Sequence, residues 1–244
     1  ASFLYANTLF KEKKYRDALK IYKSINKHNL DNDEQNECKF KEAYCLYQTN
    51  EVTKATPLFK ELTKSENQFR DDARYYYAHI LYINNEQDEA LRLFNDLCQN
   101  DKYKDIASAY VLQINFDKSN YSEVSQNGND ILNKSKKKRK ADIALMLAES
   151  WNQLGDYAKS LEYYNIALEN SNRKLPREIE FKIGFCKMKT ADYEGAIKHF
   201  AKVTDKNDEL GQYGSYYMAQ CYTFTEQDKF ARNTYLKAYK MNFN

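Results

Sequence analysis

Along the chain, apolar and small residues return in register roughly every 35 positions, and each period holds two amphipathic stretches of helical spacing. Lys14-Tyr15-Arg16-Asp17-Ala18 lines up with Asp156-Tyr157-Ala158-Lys159-Ser160 and with Asp192-Tyr193-Glu194-Gly195-Ala196. Taking the small residue of each segment as a marker gives Ala18, Ala55, Ala90, Val124, Ser160, Ala196 and Ala231, separated by 37, 35, 34, 36, 36 and 35 residues. That periodicity predicts a helix-turn-helix pair repeated seven times with slightly variable loops.

Three columns tied to the marker carry the packing. Four residues after it stand Tyr22, Phe59, Phe94, Gly128, Tyr164, Phe200 and Tyr235, six aromatics where a 15% aromatic chain predicts about one. Twelve before it stand Ala6, Ala43, Ala78, Leu112, Ala148, Gly184 and Ala219, and seven after it Ile25, Leu62, Leu97, Ile131, Ala167, Val203 and Ala238. Small residues on both helices let the two backbones approach near the short end of ordinary helix spacing. The aromatic one turn further on fills the space beside that contact. The last apolar column seals against the next pair, because one helix pair cannot bury its own face.

The register predicts helices over about 1–13 and 16–28, 34–49 and 53–65, 69–84 and 87–100, 103–118 and 121–134, 138–154 and 157–171, 176–190 and 193–205, and 209–225 and 228–241. Pro176 suits a helix start, where its missing N–H costs nothing. Pro57 is harder to place: either Thr56 caps a late start or the helix bends.

These columns resemble those of the tetratricopeptide repeat family over essentially the whole chain. The fifth unit matches best, with Ala144, Leu147, Ala148, Trp151, Leu154-Gly155-Asp156-Tyr157, Tyr164 and Ala167-Leu168, and the fourth departs most, with Val124 and Gly128. The aromatic-rich run Arg74-Tyr75-Tyr76-Tyr77-Ala78 looks like those of long bacterial envelope repeat proteins. The resemblance implies an all-α fold, a right-handed α-solenoid of seven repeats at about 1–33, 34–68, 69–102, 103–137, 138–175, 176–208 and 209–244, forming one superhelical domain. Such arrays usually need capped ends. No extra polar helix follows the last pair, so a segment of a longer protein is expected, with Phe230, Tyr239, Met241 and Phe243 facing solvent, a partner or a continuation.

Composition narrows the class further. Six Gly and two Pro in 244 residues are too few for the turns of an all-β protein. Thirty-eight Lys+Arg against 35 Asp+Glu leave a charge of +3, too balanced to indicate nucleic acid as a partner. No apolar run approaches a membrane span. The localisation expected is that of a soluble protein, cytoplasmic or of the periplasm and cell envelope, with the compartment open.

Chemistry is hard to find. His28, His79 and His199 fall in different repeats and read as unpaired surface or groove residues. Cys38, Cys45, Cys98, Cys186 and Cys221 show no zinc spacing, and equivalent sites in adjacent repeats lie too far apart for a disulfide, so small core residues and free thiols are expected. Glycine loops for phosphate are absent. Neither an enzyme nor a cofactor or metal is expected. Lys134-Ser135-Lys136-Lys137-Lys138-Arg139-Lys140 reads as a solvated link between the fourth and fifth units.

The resemblance points instead to binding. In the family the first helix of each pair lines a concave groove that takes extended or helical peptides. Carried over, the lining is Phe40, Tyr44, Tyr47, Tyr75, His79, Tyr82, Phe116, Phe181, Phe185, Tyr213 and Tyr216. Such rings offer large contact area at low rotamer cost, and tyrosine adds a polar tip. The family's carboxylate clamp is not expected, because Phe3 and Asn7, then Phe40 and Tyr44, stand where lysine and asparagine are needed. The expected function is a scaffold for a protein or peptide partner; the alternatives are self-association of the uncapped ends into a larger assembly, or a glycan- or small-ligand-binding repeat.

Overall fold

The structure is a computed structural model that describes residues 1–172 and 174–243, with the side chain of Lys138 outside the description. Fourteen α-helices form among the described residues, in seven pairs and without strands. They are α1 (Ser2–Lys11) with α2 (Tyr15–Ser24), α3 (Asn32–Gln48) with α4 (Val52–Leu62), α5 (Arg70–Ile83) with α6 (Gln87–Leu97), and α7 (Lys104–Asp117) with α8 (Tyr121–Lys134). Then follow α9 (Lys137–Gln153) with α10 (Tyr157–Asn170), α11 (Arg177–Lys189) with α12 (Tyr193–Ala201), and α13 (Glu209–Phe224) with α14 (Asp228–Met241). The fold is the all-α helix-pair solenoid the periodicity predicts.

Each pair turns in the same way. The residue five before the marker is left-handed in all seven repeats: Lys13 (φ 60°), Asn50 (65°), Asn85 (64°), Ser119 (60°), Gly155 (81°), Ala191 (63°) and Glu226 (57°). The following amide reaches back five residues to a carbonyl of the first helix, as in Lys14 to Leu9 at 2.9 Å and Asp192 to Lys187 at 2.8 Å. One left-handed residue plus that bond satisfies carbonyls the ending helix would orphan and starts the second helix at once.

Contacts divide the chain into two compact units, Ala1–Ile114 and Asn115–Asn244. In the first, the core is continuous from α1 to α7, with Ala6, Ala43 and Ala78 facing Ala18, Ala55 and Ala90, and Tyr22, Phe59 and Phe94 fully buried beside them. In the second, one cluster gathers Ala148, Tyr164, Ile183 and Cys186, and another gathers Met188, Ala196, Phe200 and Cys221. Gly184 fits closely there: an added Cβ would stand 3.0 Å from the Phe200 ring, which would have to give by a few tenths of an ångström.

Several expectations change. Pro57 lies inside α4, which starts at Val52, so Thr56 is not its cap; the Thr56 hydroxyl instead donates to the Val52 carbonyl at 2.8 Å. The carbonyl that Pro57 cannot serve belongs to Thr53, an exposed residue that water can reach. Pro176 is the N-cap of α11, one position before its first turn. The basic cluster is mostly helix: α8 runs to Lys134, α9 begins at Lys137, and the link is only Ser135 and Lys136. Lys138 belongs to that cluster, and its side chain lies outside the described residues.

Candidate interaction surface

Aromatic side chains of the first helices do two different jobs in the first unit. One set is the mortar between repeats. Phe40 is only 8% exposed and stacks on Phe69 at 4.9 Å and 14°. It therefore belongs to the packing layer, a correction to its expected place on the groove wall. Tyr44 packs among Phe10, Tyr15 and Tyr76 at 5.3, 5.6 and 5.3 Å. Tyr75 stacks on Tyr103 at 5.2 Å, so it too supports the next repeat.

The second set is half-buried and contiguous on α3, α5 and α7. Tyr47 and His79 share a hydrogen bond at 2.9 Å between the Tyr47 hydroxyl and His79 Nδ1. His79 lies edge-on to Tyr110 at 5.6 Å and is stacked by Tyr75 at 6.3 Å, and Tyr82 meets Tyr110 at 5.5 Å. Burial pushes the His79 imidazole below its ordinary value, which keeps it neutral at pH 7. Burial, with Tyr75 alongside, pushes the Tyr110 phenol up to about 12. The result is a wall of neutral rings with hydroxyl and imidazole tips.

In the second unit, Phe116 is half-buried and meets Tyr121 edge-on at 6.0 Å. Phe181 packs on Phe200 and Tyr217 at 5.7 and 5.8 Å, and Phe185 on Tyr157 and Tyr217 at 5.9 and 5.4 Å. Tyr213 and Tyr216 are 41% and 43% exposed. They line an apolar cleft of about 470 Å³ with Gln212, Tyr235, Ala238 and Tyr239.

Sequence reasoning missed Tyr76, Tyr110 and Tyr217, and the rule that places them. Where the buried second-helix aromatic is Phe, the next first helix stacks a tyrosine on it: Phe59 on Tyr76 at 5.3 Å, Phe94 on Tyr110 at 4.5 Å and Phe200 on Tyr217 at 6.1 Å. Where it is Tyr, the next helix brings lysine to a shared polar acceptor. The Tyr22 hydroxyl donates to Asn7 Oδ1 at 2.6 Å and Lys41 Nζ donates to the same oxygen at 3.1 Å. Tyr164 and Lys182 converge likewise on Glu149 Oε2. The signal was present in the sequence as covariation between the aromatic column and the position fourteen before the next marker.

Other candidate chemistry resolves locally. His199 is not unpaired: its Nδ1 meets Glu180 Oε2 at 2.7 Å. His28 is exposed. Cys38, Cys45, Cys186 and Cys221 are buried free thiols, and burial raises the Cys45 thiol to about 12 and Cys221 to about 11. Among the described residues no three His, Cys, Asp or Glu side chains gather to hold a metal ion, and no helix is long and apolar enough to cross a membrane.

Residues 40–105, from α3 into α7, match the tetratricopeptide repeat family. No curated protein matches the chain. Among solved structures it resembles YrrB, described as a tetratricopeptide repeat protein with an unusual peptide-binding site, at 21% identity and a TM-score of 0.62 over 75% of this chain and 92% of that one. The C-terminal part of a repeat-containing protein from Cytophaga hutchinsonii is similar at 15% identity and 0.62, over 99% and 96%. A tetratricopeptide repeat protein from Parabacteroides merdae is similar at 14% identity and 0.57, over 100% and 93%. These likenesses are of fold. The family match covers residues 40–105, and the same turn design in all seven helix pairs extends the tetratricopeptide-type fold over the rest of the described chain.

Proposed function

We propose that this chain is a protein-interaction scaffold whose first unit holds an apolar or aromatic segment of a partner protein against Tyr47, His79, Tyr82 and Tyr110. The observation that carries the reading is the continuity of half-buried, neutral, polar-tipped rings across three successive first helices. Such rings desolvate easily, while their hydroxyls supply hydrogen bonds to a peptide backbone. Tyr75 is the hinge between the two jobs, touching His79 on one side and Tyr103 on the other.

That division dictates the test. Tyr75→Ala removes the ring that supports Tyr103 and would confound folding with binding. Tyr47→Ala combined with Tyr82→Ala strips the wall and keeps the Tyr75–Tyr103 stack. Capture of partners from the native source, followed by titration of each captured protein, is expected to give one binder whose affinity falls about tenfold or more in the double variant. Equal binding by both proteins, with circular dichroism unchanged, overturns the assignment.

A further inference from the structure

The wall on α3, α5 and α7 is built around one polar group that the protein leaves open. His79 stands at its centre, with Tyr47 of α3 at 6.1 Å and 73° on one side and Tyr110 of α7 at 5.6 Å and 79° on the other. The Tyr47 hydroxyl occupies His79 Nδ1 at 2.9 Å. The phenol carries the more acidic proton and the imidazole nitrogen is the more basic acceptor, so Tyr47 donates. That bond fixes the tautomer with the ring proton on Nε2. His79 Nε2–H has no hydrogen-bond partner among the described residues and is open to solvent. A half-buried donor in that position gains from an acceptor brought by a ligand.

The surroundings hold no charge that would attract an ion. Burial alone pulls the His79 imidazole below its ordinary value, and burial with Tyr75 and Tyr44 pushes the Tyr47 phenol up; among the described residues neither feels a carboxylate or an ammonium group. An ionic ligand would give up hydration there without meeting a counter-charge, so the site favours a neutral one.

The open donor then selects among neutral chains. An α-helix keeps its carbonyls for its own N–H groups. A strand brings one N–H with every carbonyl and needs acceptors as well as donors. A proline-rich segment in the polyproline II conformation presents carbonyls without internal bonds, its prolines carry no N–H, and its pyrrolidine rings pack on aromatic rings. The spacing agrees. Tyr47 and Tyr110 each lie within 6.1 Å of the imidazole, so they stand no further apart than a little over one polyproline turn of about 9 Å.

We propose that the occupant of this wall is a proline-rich, polyproline II segment of a partner protein, with one backbone carbonyl accepting from His79 Nε2–H and pyrrolidine rings seated on Tyr47 and Tyr110. The inference rests on the reading of the wall as the partner site and adds the chemistry of the segment held. Such a segment is already stiff, so little ordering entropy opposes its binding.

The probe is fluorescein-labelled decaproline, followed by fluorescence anisotropy with the whole chain. Saturable binding is expected. His79→Phe, which keeps a ring and removes the donor, should weaken it about fivefold or more with circular dichroism unchanged. An alanine-rich helical peptide of the same length should not saturate. No saturation by decaproline up to about 1 mM, equal binding of the helical peptide, or indifference to His79→Phe each overturns the proposal. A second measurement tests the donor itself. Ring 15N–1H correlation NMR of the wild-type chain is expected to show a neutral His79 with its proton on Nε2, in a signal absent from His79→Phe; a proton on Nδ1 overturns the proposal. A partner captured through Tyr47 and Tyr82 by a segment without proline, while decaproline fails to bind, overturns this inference alone. Failure of the wall as a partner site shows differently, as a captured partner that ignores the Tyr47→Ala and Tyr82→Ala double variant.

Discussion

The left-handed residue in each turn allows a mirror-image experiment. Ala191 holds φ at 63° with a Cβ, and Gly155 holds 81° at the equivalent position without one. A Cβ added to Gly155 meets nothing within 4 Å, so space is not at issue there and only the backbone decides. A non-glycine residue in this conformation costs about 1–2 kcal/mol. Glycine gives back about 0.4–1 kcal/mol through the greater freedom of the unfolded chain. The difference is a net gain of about 0.5–1 kcal/mol for Ala191→Gly and a loss of similar size for Gly155→Ala. Repeat arrays do not always unfold as one unit. Urea titrations followed by circular dichroism should therefore be paired with amide exchange of the adjoining helices, α11–α12 for one variant and α9–α10 for the other. Opposite signs are expected. If both variants destabilise, or both are neutral, the turn is not limited by φ and the argument fails.

Two further outcomes follow from the second-helix aromatics and the ion pairs. Phe94→Tyr buries a hydroxyl against Tyr110 where Phe94 has no exposure, and should cost about 1–3 kcal/mol, whereas Tyr22→Phe leaves Asn7 still bonded to Lys41 and should cost about 1 kcal/mol or less; urea midpoints that rank them the other way refute the Phe–Tyr and Tyr–Lys pairing rule. Asp208 caps α13, donated to by the Gly211 amide, and meets Arg177 of α11 at 2.6 Å; the guanidinium first, then the amide, holds its carboxyl below the ordinary range. A depressed carboxyl gives stability that is present above its unfolded value of about 4 and lost as pH falls through the folded one. The urea midpoint should thus fall more steeply in acid for the wild type than for Asp208→Asn, and identical acid limbs would remove the pair from the account.

What depends on side-chain size and local spacing is legible in the order of residues alone. Alanines at 6, 18, 43, 55, 78 and 90, and aromatics at 22, 59 and 94, announce close helix pairs because packing density leaves no other residues for those sites. Register therefore placed all fourteen helices, with ends displaced by up to four residues, as where α2 stops at Ser24 and α12 at Ala201. What the sequence could not express is direction. Phe40, Tyr75 and Tyr216 share one register position. The first two are mortar, because a following helix lays a ring on each, and the third lines an open cleft. Ala191 and Glu226 likewise carry no sign of a left-handed backbone; the amide-to-carbonyl bond reaching five residues back, which closes the turn, imposes it. Side-chain volume is a property of one residue, whereas facing and φ are fixed by the neighbour that arrives, and only the tertiary structure holds that neighbour.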